Sequence, residues 1–236
     1  TGSPDGLVRV PGLSDLAFVA VGEDHSCAAR RDHSLRCWGL GSDGQLGDGR
    51  FVARDEPEGD EGAEEPPGSP TPLLVEGIEG ELVGLALGAN FSCAATSVGL
   101  HCWGGMPNPS KLVLAGVLRA IDARDGSLCA IDGEGKLHCW GAPAESYRGG
   151  MYVKASDGRD DDHPEAFSRG GPLWELGKLK FKPTGVAVGS AHACLLSETG
   201  EVSCWGSNEE GQLGDGTIRD SEVPVAVRGL PGPTVQ

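Results

Sequence analysis

The sequence predicts an all-β fold, a β-propeller of four-stranded antiparallel blades, and three observations carry that prediction. A Cys-Trp-Gly run recurs four times, as Cys37-Trp38-Gly39, Cys102-Trp103-Gly104, Cys139-Trp140-Gly141 and Cys204-Trp205-Gly206. Each run is preceded some ten residues earlier by a second cysteine, Cys27, Cys93, Cys129 or Cys194, so one repeated unit uses all eight cysteines and four of the five tryptophans. Around each pair lie four short apolar segments punctuated by glycine, and no stretch sustains a helical period. Short strands at regular spacing, four to a unit, are the pattern of propeller blades.

Aligned on the Cys-Trp-Gly runs, every unit has a lead strand, a second strand and two cysteine strands. The first unit has Leu7–Val10, Ala17–Val21, Ser26–Arg30 and Ser34–Trp38. The second has Pro72–Val75, Val83–Leu87, Ser92–Thr96 and Leu100–Trp103; the third has Lys111–Leu114, Leu118–Ala123, Ser127–Ile131 and Lys136–Trp140. The fourth has Pro172–Leu176, Gly185–Val188, Ala193–Leu196 and Glu201–Trp205, and a fifth lead strand follows at Val223–Val227. Turns such as Ser97-Val98-Gly99 and Glu198-Thr199-Gly200 join the cysteine strands as tight hairpins.

Each cysteine pair is nearly symmetric about its turn, so its members should face one another across the ladder and form a disulfide: Cys27 with Cys37, Cys93 with Cys102, Cys129 with Cys139, Cys194 with Cys204. Closing so small a loop is worth roughly 2.5–3 kcal/mol per bridge in the chain-entropy model. Such bridges need an oxidising compartment, which implies an extracellular or cell-surface protein. A zinc site is not expected. There are no C-x-x-C knuckles, and His101 and His138, each next to a cysteine, would point to the opposite strand face. Trp38, Trp103, Trp140 and Trp205 likewise oppose their neighbouring cysteines. They are therefore expected to pack between blades, the tryptophan of one blade near the disulfide of the next.

Beyond the first Cys-Trp-Gly run lies Gly44-Gln45-Leu46-Gly47-Asp48-Gly49, and beyond the fourth Gly211-Gln212-Leu213-Gly214-Asp215-Gly216. With Val19-Ala20-Val21-Gly22 before His25, and Val186-Ala187-Val188-Gly189 before His192, these runs resemble the regulator-of-chromosome-condensation repeat. The resemblance is strong in the first and fourth units. In the second, Phe91 stands in place of the histidine; the third keeps only Asp125-Gly126-Ser127-Leu128-Cys129, and both middle units lose the G-Q-L-G run. The G-Q-L-G glycines read as backbone turns rather than a phosphate loop, since no helix and no Lys-Ser/Thr pair follow. His25 and His192 read as hydrogen-bonded packing residues.

The whole chain, residues 1–236, reads as a single propeller domain with insertions at 51–70 and 147–171. It begins at Thr1 without a methionine, as a processed or trimmed chain would. Of the formal net charge of −16, the stretch Arg54–Glu65 supplies −6 and Asp157–Glu165 supplies −4. An acidic chain without a basic stripe is not a nucleic-acid binder, and no window long enough to span a membrane lacks charge. The run Asp157-Gly158-Arg159-Asp160-Asp161-Asp162-His163 offers oxygen ligands for Ca2+ but lacks the alternation and distal glutamate of an EF-hand loop, so no cofactor is assigned. Asn90-Phe91-Ser92 fits a glycosylation acceptor but starts a strand.

Propellers of the resembled family usually have seven blades, so four would leave an open arc unless the wedge between blades widens; a closed four-bladed ring is slightly favoured. No nucleophile elbow, H-E-x-x-H motif or informative His/Asp spacing marks an enzyme. The resemblance implies a protein-binding platform, since members of the family, some of them secreted bacterial inhibitors, act in that way. The expected function is therefore a secreted or surface, non-catalytic binding module that engages an unidentified protein through the divergent loops Gly105–Ser110 and Ala142–Gly171 and the acidic insertion. Two alternatives are a structural component that forms homo-oligomers through open blade faces and, least favoured, a calcium-dependent or hydrolytic enzyme centred near His163.

Overall fold

The computed structural model describes residues 9–50, 68–105, 111–140, 179 and 181–230. These residues form four antiparallel sheets, and none of them is helical. Blade 1 is β1 (Leu16–Val21), β2 (His25–Arg30), β3 (Leu35–Gly39) and β4 (Ser69–Leu74), paired in that order. Blade 2 is β5 (Leu82–Leu87), β6 (Ser92–Thr96), β7 (Gly99–Trp103) and β8 (Lys111–Ala115). In blade 3, β9 (Leu118–Arg124), β10 (Ser127–Asp132) and β11 (Leu137–Trp140) are described; blade 4 is β12 (Pro183–Val188), β13 (His192–Ser197), β14 (Val202–Gly206) and β15 (Ser221–Ala226).

The strands lie where the apolar segments predict, but their grouping differs. Each described lead strand closes the sheet of the blade before it: Leu73 on β4 pairs with Cys37, Leu114 on β8 with Leu100, and Val225 on β15 with Cys204. The repeat period alone cannot show this, because a four-strand repeat can be cut at any of its four connections. The cut falls after the lead strand, between β4 and β5, because the chain comes back after the G-Q-L-G loop to pair β4 antiparallel with β3. Arg9 and Val10, from the first lead segment, are not in a strand, and the insertion assigned to 51–70 ends earlier, since β4 begins at Ser69. The expected strand Pro172–Leu176 lies outside the described residues.

Within each blade the cysteines are direct cross-strand partners, Cys27↔Cys37, Cys93↔Cys102, Cys129↔Cys139 and Cys194↔Cys204. Their Cα atoms are 4.0–4.1 Å apart and all four pairs are bonded. The hairpins between them need a left-handed residue, which Gly135 (φ 86°) and Gly200 (φ 81°) supply; in blade 1, His33 takes φ 67° instead.

The blades stack in chain order along their first strands, β1 against β5, β5 against β9 and β9 against β12. Three apolar seams result. Cys27, Ala29, Leu35 and Cys37 of blade 1 meet Leu87, Ala94 and Trp103 of blade 2. Cys93, Ala95 and Cys102 of blade 2 meet Leu128, Ala130 and Trp140 of blade 3. Cys129, Ile131 and Cys139 of blade 3 meet Ala193, Leu195 and Trp205 of blade 4. Trp103, Trp140 and Trp205 thus each face the disulfide of the preceding blade, the reverse of the order expected. The physical basis is the strand alternation: Cys and Trp are adjacent and must point to opposite faces, so disulfides face one way around the stack and tryptophans the other.

Candidate interaction surfaces

The seam between blades 1 and 2 shows what the repeated polar residues do. The G-Q-L-G loop places Gly44, Gly47 and Gly49 at positive φ, and the Gln45 side chain accepts the N–H of Asp43. The turn leaves the Gln45 carbonyl pointing across the seam. It accepts Trp103 Nε1–H at 3.0 Å and Ser92 Oγ–H at 2.9 Å. Gly47 lies beneath the indole: a Cβ there would stand 2.8 Å from both Trp103 Nε1 and Val75 Cγ1. Gln45 carbonyl, Gly47 and Val75 therefore form a seat shaped for one tryptophan. Gln45 is fully buried, yet the sequence marks it only as part of a glycine turn.

His25 completes the seam. Its ring lies over Gly22, where a Cβ would meet His25 Cε1 at 2.4 Å, and reaches Ser92 Oγ with Nε2 at 2.8 Å. Because the Ser92 hydroxyl proton is given to Gln45, the Nε2–H of His25 donates to Ser92 Oγ, and Nδ1 is left as a buried nitrogen without a hydrogen bond. Burial lowers the pKa of His25 to about 4; the Phe91 backbone and the charge of Asp24 oppose that shift only in part. A histidine so neutral, bonded to a serine that is itself shut between blades, joins two blades and has no access to a substrate. At the next seam the pair is apolar, Phe91 of blade 2 against Leu128 of blade 3.

The other titratable contacts are also internal to the frame. His138 Nε2 lies 2.7 Å from Asp132 Oδ2 at the hairpin of blade 3. Burial works against the Asp132 charge, but this bond and the N–H groups of Lys136 and Glu134 hold its carboxyl below the ordinary range. Burial also lowers the pKa of His101. Among the described residues, no three His, Cys, Asp or Glu side chains gather as metal ligands. His163 and the run 157–165 lie outside the described residues, as do the loops 106–110 and 142–171; the anchors described are Gly105 and Lys111 for the first loop and Trp140, before the second.

Those anchors locate the loops in the topology. The acidic insertion lies between β3 and β4, the segment 104–110 between β7 and β8, and the long insertion follows β11. In blades 1 and 2 the divergent segment therefore replaces the connection from the third strand to the fourth, and in blade 3 it begins at the same point, after the third strand. In blade 4 that connection is a compact loop knotted by buried Asn208, whose Nδ2 donates to the carbonyls of Thr217 and Arg219 and whose Oδ1 accepts Leu213 N–H. Blade 1 has Gly41 at the equivalent place, so the repeat does not single out Asn208.

The ends of the stack differ from its seams. On blade 1, Val19 and Val21 are each 69% exposed, and Trp38 is half-exposed. On blade 4, Leu196 is 44% exposed, and Cys194 is half-exposed where Cys27, Cys93 and Cys129 are fully buried.

Residues 17–45 and 184–212 match the family described as regulator of chromosome condensation (RCC1) repeat, and residues 199–236 match a second family of the same description. Human E3 ubiquitin-protein ligase HERC2 is 28% identical over 94% of this chain and 4% of its own length. The ultraviolet-B receptor UVR8 of Arabidopsis thaliana is 28% identical over 92% of this chain and 47% of its own. Human WBSCR16 has the same fold, with a TM-score of 0.65 and 20% identity over 97% of this chain and 57% of that one. So does yeast RCC1 (Prp20), solved bound to Kap60, with a TM-score of 0.66 and 20% identity over 94% and 51%. The chain spans less than two thirds of the length of each of these relatives.

Proposed function

We propose that this chain, which belongs to the RCC1-repeat family, is a secreted or cell-surface, non-catalytic module that binds another protein through one rim of its propeller. The observation that carries this reading is topological. The divergent segments of blades 1 and 2 occupy the third-to-fourth strand connection and that of blade 3 follows its third strand, so all three leave the same edge of successive blades. The residues that repeat serve the frame instead: disulfides within blades, tryptophans and His25 between them. A rigid frame that varies on one rim is how repeat scaffolds present binding surface. Yeast Prp20, of the same fold, was solved bound to Kap60 and studied for its binding to Gsp1p and histones. The four bonded cysteine pairs favour an oxidising location. No described helix is long and apolar enough to cross a membrane.

Much of the acidity lies in two of these segments, so the partner surface should be basic and capture should weaken with salt. The test compares the intact chain with a variant in which 51–67 and 147–171 are replaced by short turns. Both are used to capture partners from the source fluid, after non-reducing mass spectrometry has shown all four bridges in each. Loss of capture by the variant is expected; capture at undiminished strength would place the binding surface elsewhere.

A further inference from the structure

The exposed face of blade 4 repeats the face with which blade 1 receives blade 2. His192, Gln212, Leu213, Gly214 and Val227 stand where His25, Gln45, Leu46, Gly47 and Val75 stand in blade 1. The loop is built alike: Gly211, Gly214 and Gly216 have φ of 78°, 64° and 83°, against 79°, 67° and 80° for Gly44, Gly47 and Gly49. Glu210 N–H bonds Gln212 Oε1 at 2.9 Å, as Asp43 N–H bonds Gln45 Oε1 at 2.9 Å. Above Gly214, the nearest atoms a Cβ would meet among the described residues all belong to Val227, Cγ1 at 2.9 Å first, and none to an indole. The tryptophan seat is therefore formed in blade 4 with no tryptophan of the described residues in it.

The exposed face of blade 1 is the matching half. Ser26 and Trp38 are cross-strand partners there, as Ser92 and Trp103 are in blade 2. Leu16, Val19 and Val21 occupy the positions of Leu82, Leu85 and Leu87. Leu82 and Leu87 are about 5% and 4% exposed in the seam, whereas Leu16 is 38% and Val21 69% exposed at the end. Val10, Leu13, Leu16, Val19, Ala28 and Trp38 line an apolar hollow on this face. Of the three seams, only that between blades 1 and 2 uses a histidine, a serine and a G-Q-L-G seat together. The two end faces carry the halves of that same set.

We propose that blade 4 of one copy receives blade 1 of a second copy through this contact. The Trp38 indole of the second copy enters the Gln212–Gly214–Val227 seat, and its N–H donates to the Gln212 carbonyl. His192 meets Ser26, and Val19 and Val21 cover the Cys194–Cys204 disulfide and Leu196. The contact is heterologous, so each copy keeps one face of each kind, and the assembly ends in a ring or extends as a filament according to the rotation per copy. This inference is independent of the loop-rim reading above.

Light scattering coupled to size exclusion, from about 1 to about 100 μM, tests it. The wild-type chain should associate with rising concentration, and a chain that stays monomeric over the range overturns the proposal. Val19→Glu and Leu196→Glu each put a charge at an already exposed position and so retain the fold. Each should be monomeric alone, because every head-to-tail contact between its copies includes a damaged face. Mixed, they should form a one-to-one pair through the single intact combination. A mixture that stays monomeric, or a variant that still associates like wild type, overturns the proposal. Trp38→Phe removes the indole N–H together with its five-membered ring and should weaken association roughly tenfold or more; unchanged association would refute the proposed seat.

Discussion

His25 shows how one residue can tie stability to pH without any catalytic part. Its ring is buried between blades and its pKa is lowered from 6.5 to about 4 by that burial. The folded state therefore binds the proton more weakly than the unfolded state. The stabilisation from a neutral His25 is complete above pH ~6.5, declines as the pH falls toward 4, and is then exhausted. Between pH 7.5 and 5 the loss from this residue is about 2 kcal/mol. His25→Phe copies the natural Phe91 of blade 2 and removes that dependence. By itself it leaves Ser92 Oγ without its donor in a closed seam, costing about 1–2 kcal/mol at pH 7.5. Adding Ser92→Leu completes the Phe91–Leu128 pattern and should recover most of that cost. Urea midpoints at the two pH values check both points: the wild type should fall further than the double variant, and an equal fall would remove His25 as the cause.

At the scale of the element, the G-Q-L-G loop can be compared in two settings. Gly47 and Gly214 have nearly the same φ, so replacing either by alanine carries a similar backbone penalty of about 1 kcal/mol. Gly47→Ala also drives a methyl against the Trp103 indole, which is held by its bond to the Gln45 carbonyl, and should cost a further 1–3 kcal/mol, roughly, by overpacking. Gly214→Ala meets only Val227 and should cost much less in the monomer. Thermal melts at low protein concentration should rank Gly47→Ala well below Gly214→Ala; equal shifts would mean that backbone strain alone is being read. Strands, hairpins and cysteine register are legible in the sequence because they depend on spacing, a local property. The sequence leaves open which strand closes each sheet and which way the tryptophans face. Both depend on how a strand returns after a loop, which spacing does not encode. Gln45 is hidden for a related reason: its carbonyl, not its side chain, binds the tryptophan, and every residue type carries a carbonyl. Asn208 is hidden because no other blade repeats it.

Across the whole molecule, stability should be graded along the stack. A blade in a linear series is held by its own hydrogen bonds and bridge and by the neighbours on its two faces. Blade 2 has both faces covered, and every residue of β6 and β7 is buried. Among the described residues blade 1 is covered on its disulfide face only, and β1 shows no buried residue along its length; β15 at the other end shows none either. The disulfides do not offset this difference, since each lies inside one blade and closes a loop of about the same size in all four. As a cross-link, each bridge contributes roughly 2.5–3 kcal/mol to its own hairpin and ties no blade to another. Amide hydrogen exchange on the oxidised chain at low concentration should therefore be slowest in β6, β7 and β10 and fastest in β1 and β15. Opening of the end strands should proceed without loss of the central ones. If end faces of separate copies dock, raising the concentration should slow exchange in β1 and at the β14–β15 edge while leaving β6 and β7 unchanged. A uniform exchange rate across the blades at low concentration would instead mean that the four repeats unfold as one cooperative unit, with the interior seams no stronger than the ends.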